Sequence, residues 1–331
     1  SGDGRVNVIP NLSALHILFI REHNRIVDKL SKLNPLWNDE RLYQEGRKIV
    51  AAYMQHFTYD EYLPRVLNGA YMSRYKLHVY PGARNRDYNQ ERNPGIFNVF
   101  AVAAFRFGHS QISDHQSLAN EDGSINEHGP DMHVSGTKPS IFDKGVRDLL
   151  FLDKHGHSLD LPALNIQRGR DHGIPSYTEW RKRLGLSEVR TFNPKDPFGL
   201  KHHTVEAAQL LEKAYAGRVK DIDLYAGAMS ETHLPGADVG PVFSKLIAMQ
   251  FRQLKIGDRF WYENGQKRIG FTKGDCEWLG SIVKNGSTGT CEDGCNECRC
   301  MNGAASFIKK ITCPPLYICT DAWIRTRMFH E

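Results

Sequence analysis

Two separated stretches of the chain carry residue types that could hold a metal-containing cofactor. Residues 98–110 read NVFAVAAFRFGHS and place His109 near the end of an apolar segment, while residues 159–177 read LDLPALNIQRGRDHGIPSY and place Asn165 ahead of two arginines. An axial haem ligand must be a neutral imidazole whose second ring nitrogen is held by a polar partner. Guanidinium groups nearby would suit the two haem propionates through paired, charge-assisted hydrogen bonds. The alternative is structural, because a lone histidine in an apolar helix usually serves as a core residue.

Helices are expected to position both stretches. Near the start of the chain, apolar residues recur at helical spacing up to an Asn-Pro pair, where the helix should stop. We predict that Asn11 or Ser13 caps this first helix, because short polar side chains accept hydrogen bonds from the first exposed backbone N–H groups. A second helix is predicted to begin after Asn38.

Prolines and polar runs indicate further boundaries. Pro64 is expected to end the next helix, and Pro94 to open the helix that carries the candidate histidine. Val205–Ala216 and Pro241–Leu254 are predicted helices, and residues 114–141 are a predicted loop because they are rich in Gly, Asn, Asp and Ser. Strand signals are few and short, so the predicted fold class is mainly α.

The residue sequences of these two stretches resemble those of one protein family. FRFGHS followed by ALNIQRGRDHG is similar to the animal haem peroxidases, and stretches at 18–37, 41–67 and 250–264 agree in the same order. The resemblance spans nearly the whole chain. It implies a mainly α, haem-peroxidase-like multi-helix domain with few short strands, of which residues 1–331 form a part truncated at its N-terminal side. A cysteine-rich segment at 276–319 is inserted near its C-terminal end.

The resemblance also implies roles for individual residues. His109 matches the proximal, axial ligand of the haem iron, and Asn165 matches the side chain that accepts the other ring N–H. Arg106 and Arg168 match the arginines near the propionates, although both could instead be ordinary surface arginines. Arg5 matches the catalytic arginine of the distal side, whose cation stabilises the charge that develops as peroxide cleaves.

Other polar motifs are interpreted as structural. The REHNR motif at 21–25 is also typical of the family, and we expect its polar groups to satisfy one another. His155, His157, His202 and His203 have spacing that would suit a metal, but they lack Cys or carboxylate companions. They are predicted to be loop histidines exposed to solvent.

The chain departs from the family pattern at two places. Relatives carry a glutamate three residues after the distal arginine, where it forms an ester to the haem, and Val8 occupies that position here. The family's distal histidine, its neighbouring ester-forming aspartate and its calcium loop precede the distal arginine and have no counterpart in residues 1–331. The implied cofactor is haem b with at most one ester link, and calcium is expected in the full-length family domain at a site outside this chain.

All seven cysteines lie after residue 275. Cys295, Cys298 and Cys300 could bind zinc, but no second CxxC pair completes a set of four ligands. Disulfides are the alternative, and an extracellular family favours them. The resemblance implies a Cys291–Cys313 bridge, with the other cysteines bonded locally. Because seven is odd, at least one thiol is expected to be free or to pair outside this chain.

Composition excludes several classes of protein. With 331 residues, 40% of them hydrophobic, the chain can bury a large core. The net charge of +5 is spread along the sequence without a run of Lys and Arg, so no nucleic-acid partner is predicted. No apolar run approaches the ~18 residues of a membrane helix. The chain opens at SGDGR without an initiator Met or signal peptide, which suggests the middle of a longer protein.

Three functions are consistent with these features. The favoured one is part of a secreted haem peroxidase that uses hydrogen peroxide to oxidise small electron donors, namely halides, phenols or tyrosyl groups. An N-terminal peroxidase segment or a partner chain would then complete the domain. The second is an extracellular haem-binding or adhesive relative with degraded catalysis, suggested by Val8 and the missing distal half. The third is a structural module that binds no haem, and it is disfavoured because His109 and Asn165 are both present.

Overall fold

The computed structural model describes residues 3–7, 10–79, 87–112 and 142–264, together with the backbone of five short strands between residues 275 and 307. The chain divides into two compact units. The first contains Ser1–Tyr62, His78–Pro94 and Lys255–Glu331, and the second contains Leu63–Leu77 and Gly95–Leu254. Helices account for most of the described elements, which confirms the mainly α fold class with few short strands.

Two long helices dominate the first unit. Its first elements are a 3-10 turn (Gly4–Asn7), α1 (Pro10–Leu33), α2 (Asp39–His56) and a π-helical turn (Phe57–Tyr62). Ile26 and Leu30 of α1 pack against Ile49 and Tyr53 of α2 in one buried cluster. Burial of each such side chain stabilises the helix pair by about 1.5–3 kcal/mol.

The ends of these helices test the predicted boundaries. The second helix begins after Asn38 as predicted, and the Asn38 side chain accepts a hydrogen bond from the backbone N–H of Arg41 at 3.0 Å. The predicted caps of α1 are wrong, because the helix begins before both Asn11 and Ser13. Being inside the helix, the Ser13 hydroxyl donates to the carbonyl of Val6 at 2.7 Å and ties the helix to the preceding turn.

The strands follow at the end of the first unit and pair only with near neighbours. They are β1 (Asp275–Trp278), β2 (Ser281–Lys284), β3 (Thr288–Thr290), β4 (Glu297–Met301) and β5 (Ala304–Phe307). β1 and β2 form an antiparallel hairpin, and β3, β4 and β5 form an antiparallel sheet in that order. In the backbone register, Cys298 lies between Gly289 and Phe307. The predicted Cys291–Cys313 bridge lies outside the described residues and stays a prediction.

The second unit is built mainly from short helices, and its longer last helix belongs to it up to Leu254. They are α3 (Leu63–Val66), α4 (Gly69–Arg74), α5 (Asn98–Val102), a 3-10 helix (Ala104–Gln111), α6 (Lys144–Arg147), α7 (Leu161–Asp171), α8 (Tyr177–Arg183), α9 (Val205–Ala214), a 3-10 turn (Val219–Asp221), α10 (Leu224–Met229) and α11 (Pro241–Gly257). The predictions of α9 and α11 are confirmed apart from a few terminal residues. Within the described ranges, no helix combines the length and apolar character that crossing a membrane requires.

Both prolines act differently from the prediction. Pro64 does not end a helix, because the π-helical turn Phe57–Tyr62 runs directly into α3 and the helix continues to Val66. Pro94 does not open the helix that leads to His109, because α5 begins only at Asn98. That segment is also not one continuous α-helix. Ala103 adopts a non-helical conformation and separates α5 from the 3-10 helix that carries His109.

A buried ion pair holds the chain around α10. Arg181 of α8 donates to a carboxylate oxygen of Glu231 at 3.0 Å, and the Tyr177 hydroxyl donates to the same oxygen at 2.8 Å. The second carboxylate oxygen accepts from the backbone N–H of Val242 at 2.9 Å. Since α10 also packs against α7 and α8, its side chains are held in fixed positions beside α7.

The four histidines at 155, 157, 202 and 203 do not share one environment. His155 and His157 are exposed, as predicted. The prediction is wrong for His203, which is buried; its Nε2 lies 2.9 Å from the carbonyl of Gly227. His202 is partly buried. Contacts with α10, more than 20 residues away, cover His203, and no local pattern in the sequence indicates them.

Candidate functional site

His109 and Asn165 meet in the second unit. Nδ2 of Asn165 lies 2.8 Å from Nδ1 of His109, although the two residues are 56 positions apart. The 3-10 helix presents His109, and α7 presents Asn165, which is fully buried. α7 is fixed at its start because the Asp160 side chain accepts from the backbone N–H of Ala163 at 2.9 Å. The structure therefore brings together the two residues on which the predicted site depends.

Arg106 is the third member of the cluster. Its Nη1 donates to Oδ1 of Asn165 at 2.8 Å, and its Nε donates to the carbonyl of Ala101 at 3.0 Å. The amide nitrogen of Asn165 therefore faces His109, whereas the family resemblance predicts that the amide oxygen does so. Asn165 is the donor toward His109 in this arrangement.

Tyr225 of α10 completes the cluster, and the sequence analysis missed it. Its hydroxyl accepts from Nδ2 of Asn165 at 3.1 Å and donates to the carbonyl of Arg106 at 3.2 Å. The rings of Phe142 and Phe243 lie about 6 Å from the Tyr225 ring and hold it in place. Burial raises the pKa of Tyr225, so the hydroxyl keeps its proton. One tyrosine in a helical segment gives no local signal of such a role.

The charges around the cluster favour a neutral His109 and an anionic ligand. Burial and then the positive charge of Arg106 hold the pKa of His109 below its usual range. Burial and then the charge of Arg168 lower the pKa of Arg106. Among the described residues, neither Arg106 nor Arg168 has a carboxylate partner, and Arg168 is exposed. Two neighbouring guanidinium groups without a counter-ion are suited to bind carboxylates.

The second ring nitrogen of His109 is available to a ligand. In the described part of the chain, Nε2 of His109 has no hydrogen-bond partner, while Nδ1 is held by Asn165. No group of three or more His, Cys, Asp or Glu side chains within these same residues could hold a metal ion. The chemistry of this set, one neutral imidazole beside two unpaired cations, fits a metal centre that carries its own remaining ligands and its own carboxylates. Haem meets both conditions.

The family resemblance also singled out Arg5 and Val8. Arg5 lies in the first unit, on an exposed turn, where its Nε donates to Asp3 at 3.0 Å. Its predicted catalytic role stays a prediction. Val8, where the family pattern has an ester-forming glutamate, lies outside the described residues.

Comparisons with known proteins agree on one family. The family model described as animal haem peroxidase matches residues 1–140 and 132–284. The chain is 37% identical to chorion peroxidase of Drosophila melanogaster and 38% identical to myeloperoxidase of Mus musculus, in each case over 80% of this chain. These matches cover 34% and 39% of the two relatives, so the chain spans well under half of their length.

Solved structures show a similar fold. Peroxidase A from Dictyostelium discoideum superposes with a TM-score of 0.64 at 33% identity, over 80% of this chain and 52% of that protein. A fatty acid alpha-dioxygenase of Arabidopsis thaliana has a TM-score of 0.58 at 19% identity, over 78% of this chain and 48% of that one, which is a likeness of fold alone. The family model matches most of this chain, and the chain belongs to the animal haem peroxidase family.

Proposed function

We propose that this chain supplies the proximal side of a haem peroxidase site, with His109 as the axial ligand of the iron. The observation that supports this most strongly is the pair of ring nitrogens of His109: Nδ1 is held by Asn165, and Nε2 has no partner among the described residues. Buried His203 also leaves one ring nitrogen without a partner in the residue ranges that the structure describes, so the pattern at His109 counts only together with the guanidinium group of Arg106 on the far side of Asn165. The family to which the chain belongs binds haem, and haem b is the proposed cofactor.

Each residue of the cluster has a proposed task. His109 binds through Nε2, and Asn165 fixes the plane of the ring because it holds Nδ1 from a fully buried position. Arg106 and Arg168 hold the two propionates by charge-assisted hydrogen bonds. When bound, haem supplies the redox-active iron at which hydrogen peroxide is reduced and electron donors are oxidised. Arg5 is the proposed distal cation that stabilises negative charge on the peroxide oxygen.

The proposed reaction is the hydrogen-peroxide-dependent oxidation of halide, phenolic or tyrosyl donors, as part of a response to oxidative stress. The proposed location is secreted or extracellular. Support comes from relatives whose names describe peroxidases, among them chorion peroxidase and myeloperoxidase. A partner segment or chain with the distal histidine and the calcium loop is proposed to complete the activity.

A catalytically degraded haem-binding or adhesive relative is the second candidate. The observation that favours it is Val8, because a valine side chain has no nucleophile with which to form an ester to haem. In that case the chain would bind haem through His109 but would not turn over peroxide.

Titration with haemin followed by a peroxide assay tests the proposal. Haemin is added to the 331-residue chain and to longer forms of the protein, and the Soret band is recorded. Oxidation of a phenol by hydrogen peroxide is then measured on the loaded forms. We expect stoichiometric haem uptake by the chain and peroxide turnover by the longer protein. Haem uptake without turnover in any form supports the degraded relative, and absence of haem uptake contradicts both candidates.

A further inference from the structure

We infer that Arg106 is a positioning residue that decides which nitrogen of His109 carries the ring proton, and that capture of a haem propionate by Arg106 reverses this choice. The first half concerns the haem-free chain and stands on the geometry of three side chains. The second half rests on the proposed function. Together they describe a mechanism by which the carboxylate groups of the cofactor prepare the ligand for its iron.

The guanidinium group fixes the orientation of the Asn165 amide. Arg106 can only donate hydrogen bonds, so the amide atom that lies 2.8 Å from its Nη1 must be the oxygen. If the amide were turned around, two donors would face each other in a buried site, which costs about 1–3 kcal/mol. Tyr225 favours the same orientation, because its single proton goes to the carbonyl of Arg106 and its oxygen accepts from Nδ2 of Asn165.

The amide orientation then fixes the tautomer of His109. With Oδ1 on Arg106, the amide nitrogen faces Nδ1 of His109 at 2.8 Å, so Nδ1 must accept. A neutral ring that accepts at Nδ1 carries its proton on Nε2. That nitrogen has no lone pair to offer to a metal until the proton moves.

A propionate would reverse the arrangement. Arg106 has no carboxylate partner in the described structure, and the positive charge of Arg168 acts against it. A carboxylate therefore competes well with the neutral amide oxygen for the guanidinium group. Once Oδ1 is released, the amide can turn by half a rotation without a change of volume. Oδ1 then accepts from Nδ1, and the Tyr225 hydroxyl turns its proton from the Arg106 carbonyl to Oδ1. One proton leaves Nε2 for solvent, one binds Nδ1, and the ring stays neutral with a lone pair on Nε2.

The tautomer of His109 in the haem-free chain tests the first half. Long-range ¹⁵N–¹H NMR spectra of the histidine ring distinguish Nε2–H from Nδ1–H. We expect Nε2–H in the natural chain, and a shift of at least about tenfold toward Nδ1–H in Arg106→Met, since a hydrogen bond to a charged group contributes about 1.5–3 kcal/mol. Arg106→Lys, which keeps a donor, should restore the natural ratio. Arg170→Met is the matched control, because Arg170 lies on the same helix as Asn165 and its guanidinium group bonds to Asp223, and it should leave the ratio unchanged.

Metal-free protoporphyrin IX tests the second half on the natural chain without forming an iron bond. It carries both propionates, and its dimethyl ester carries neither as a charged group. We expect protoporphyrin to move His109 to Nδ1–H and the diester to leave it as Nε2–H. Binding of protoporphyrin without a change of tautomer overturns the coupling alone. Failure to bind also overturns the coupling, and haemin uptake by the same chain then shows whether the proposed haem site survives. Nδ1–H in the porphyrin-free natural chain, or the natural ratio in Arg106→Met, overturns the role of Arg106.

Discussion

Two regions of this protein combine histidine, asparagine and arginine, and they differ in whether these side chains have partners. In α1, both ring nitrogens of His23 have partners, Nδ1 at Asn24 and Nε2 at the carbonyl of Tyr43, each at 3.3 Å. Arg25 makes a two-pronged ion pair with Glu22, at 2.6 and 2.7 Å. In the second unit, Nε2 of His109 and the guanidinium of Arg168 have no such partners among the described residues.

The difference separates a polar cluster that stabilises a fold from one that can bind a ligand. The histidine, asparagine and arginine that both clusters share do not make the distinction. The distinction lies in the carboxylate: Glu22 neutralises Arg25, whereas Arg106 faces the neutral amide of Asn165. The Glu22–Arg25 and His23–Asn24 contacts agree with the prediction that the REHNR motif satisfies its own polar groups, whereas Nε2 of His23 has its partner, Tyr43, outside the motif.

The largest effect is expected from a cavity between α1 and α2. Leu30→Ala removes a side chain with no exposed surface, so the free energy of unfolding should fall by about 2–5 kcal/mol. Chemical denaturation measures it, with Leu36→Ala as the matched control, because Leu36 is 98% exposed. The folded fraction of Leu30→Ala should still take up haem. A loss of haem uptake in the folded fraction would show that the α1 region takes part in binding.

Acid should destabilise the protein through His203. Burial lowers the pKa of His203 to about 4, while an unfolded histidine titrates near 6.5. At His203 the unfolded chain therefore binds more protons between these values, and the contribution of His203 to stability should fall by up to about 3 kcal/mol as the pH drops from 6.5 to 4. Burial raises the pKa of Glu231 to about 7, which acts in the opposite direction, so the slope is compared between the natural chain and the His203 variant. Urea unfolding across this range measures the slope. His203→Gln should flatten it, and an unchanged slope would contradict the assignment.

A methyl group at Gly46 should disturb the packing of α1 on α2 next to His23. A Cβ there would lie 2.7 Å from Val27 and 3.1 Å from Nε2 of His23, so α1 and α2 would have to separate. We expect Gly46→Ala to cost about 1–3 kcal/mol in thermal or urea unfolding. Gly69→Ala is the control, because nothing lies within 4 Å of a Cβ at that helical position. Equal effects of the two changes would refute the close approach.

The smallest effect on stability is expected at Arg168. Both Arg168 and Arg21 are exposed, so Arg168→Gln and Arg21→Gln should each change the free energy of unfolding by less than about 0.5 kcal/mol. Haem affinity should separate them. Loss of a charge-assisted bond to a propionate should weaken haem binding about tenfold in Arg168→Gln, whereas Arg21→Gln should leave it unchanged. Equal affinities in the two variants would remove Arg168 from the site.

Local signals predicted the helices, and tertiary contacts decided the rest. The start of α2 follows from the Asn38 side chain, which caps the helix within three residues of itself. The break at Ala103 and the burial of His203 have no comparable local cause. For the site, the sequence and its resemblance predicted His109, Asn165 and both arginines. They did not predict Tyr225 or the amide orientation, because both depend on contacts between residues about 60 positions apart.

The most direct test is the iron–histidine stretching band in the resonance Raman spectrum of the haem-loaded, ferrous chain. We predict that the natural chain shows this band, that His109→Ala loses it, and that His23→Ala keeps it. Asn165→Asp should move the band to higher frequency and lower the Fe(III)/Fe(II) potential, because a carboxylate beside Nδ1 increases the imidazolate character of the ligand. A band that survives unchanged in His109→Ala would contradict the assignment of His109 as the axial ligand.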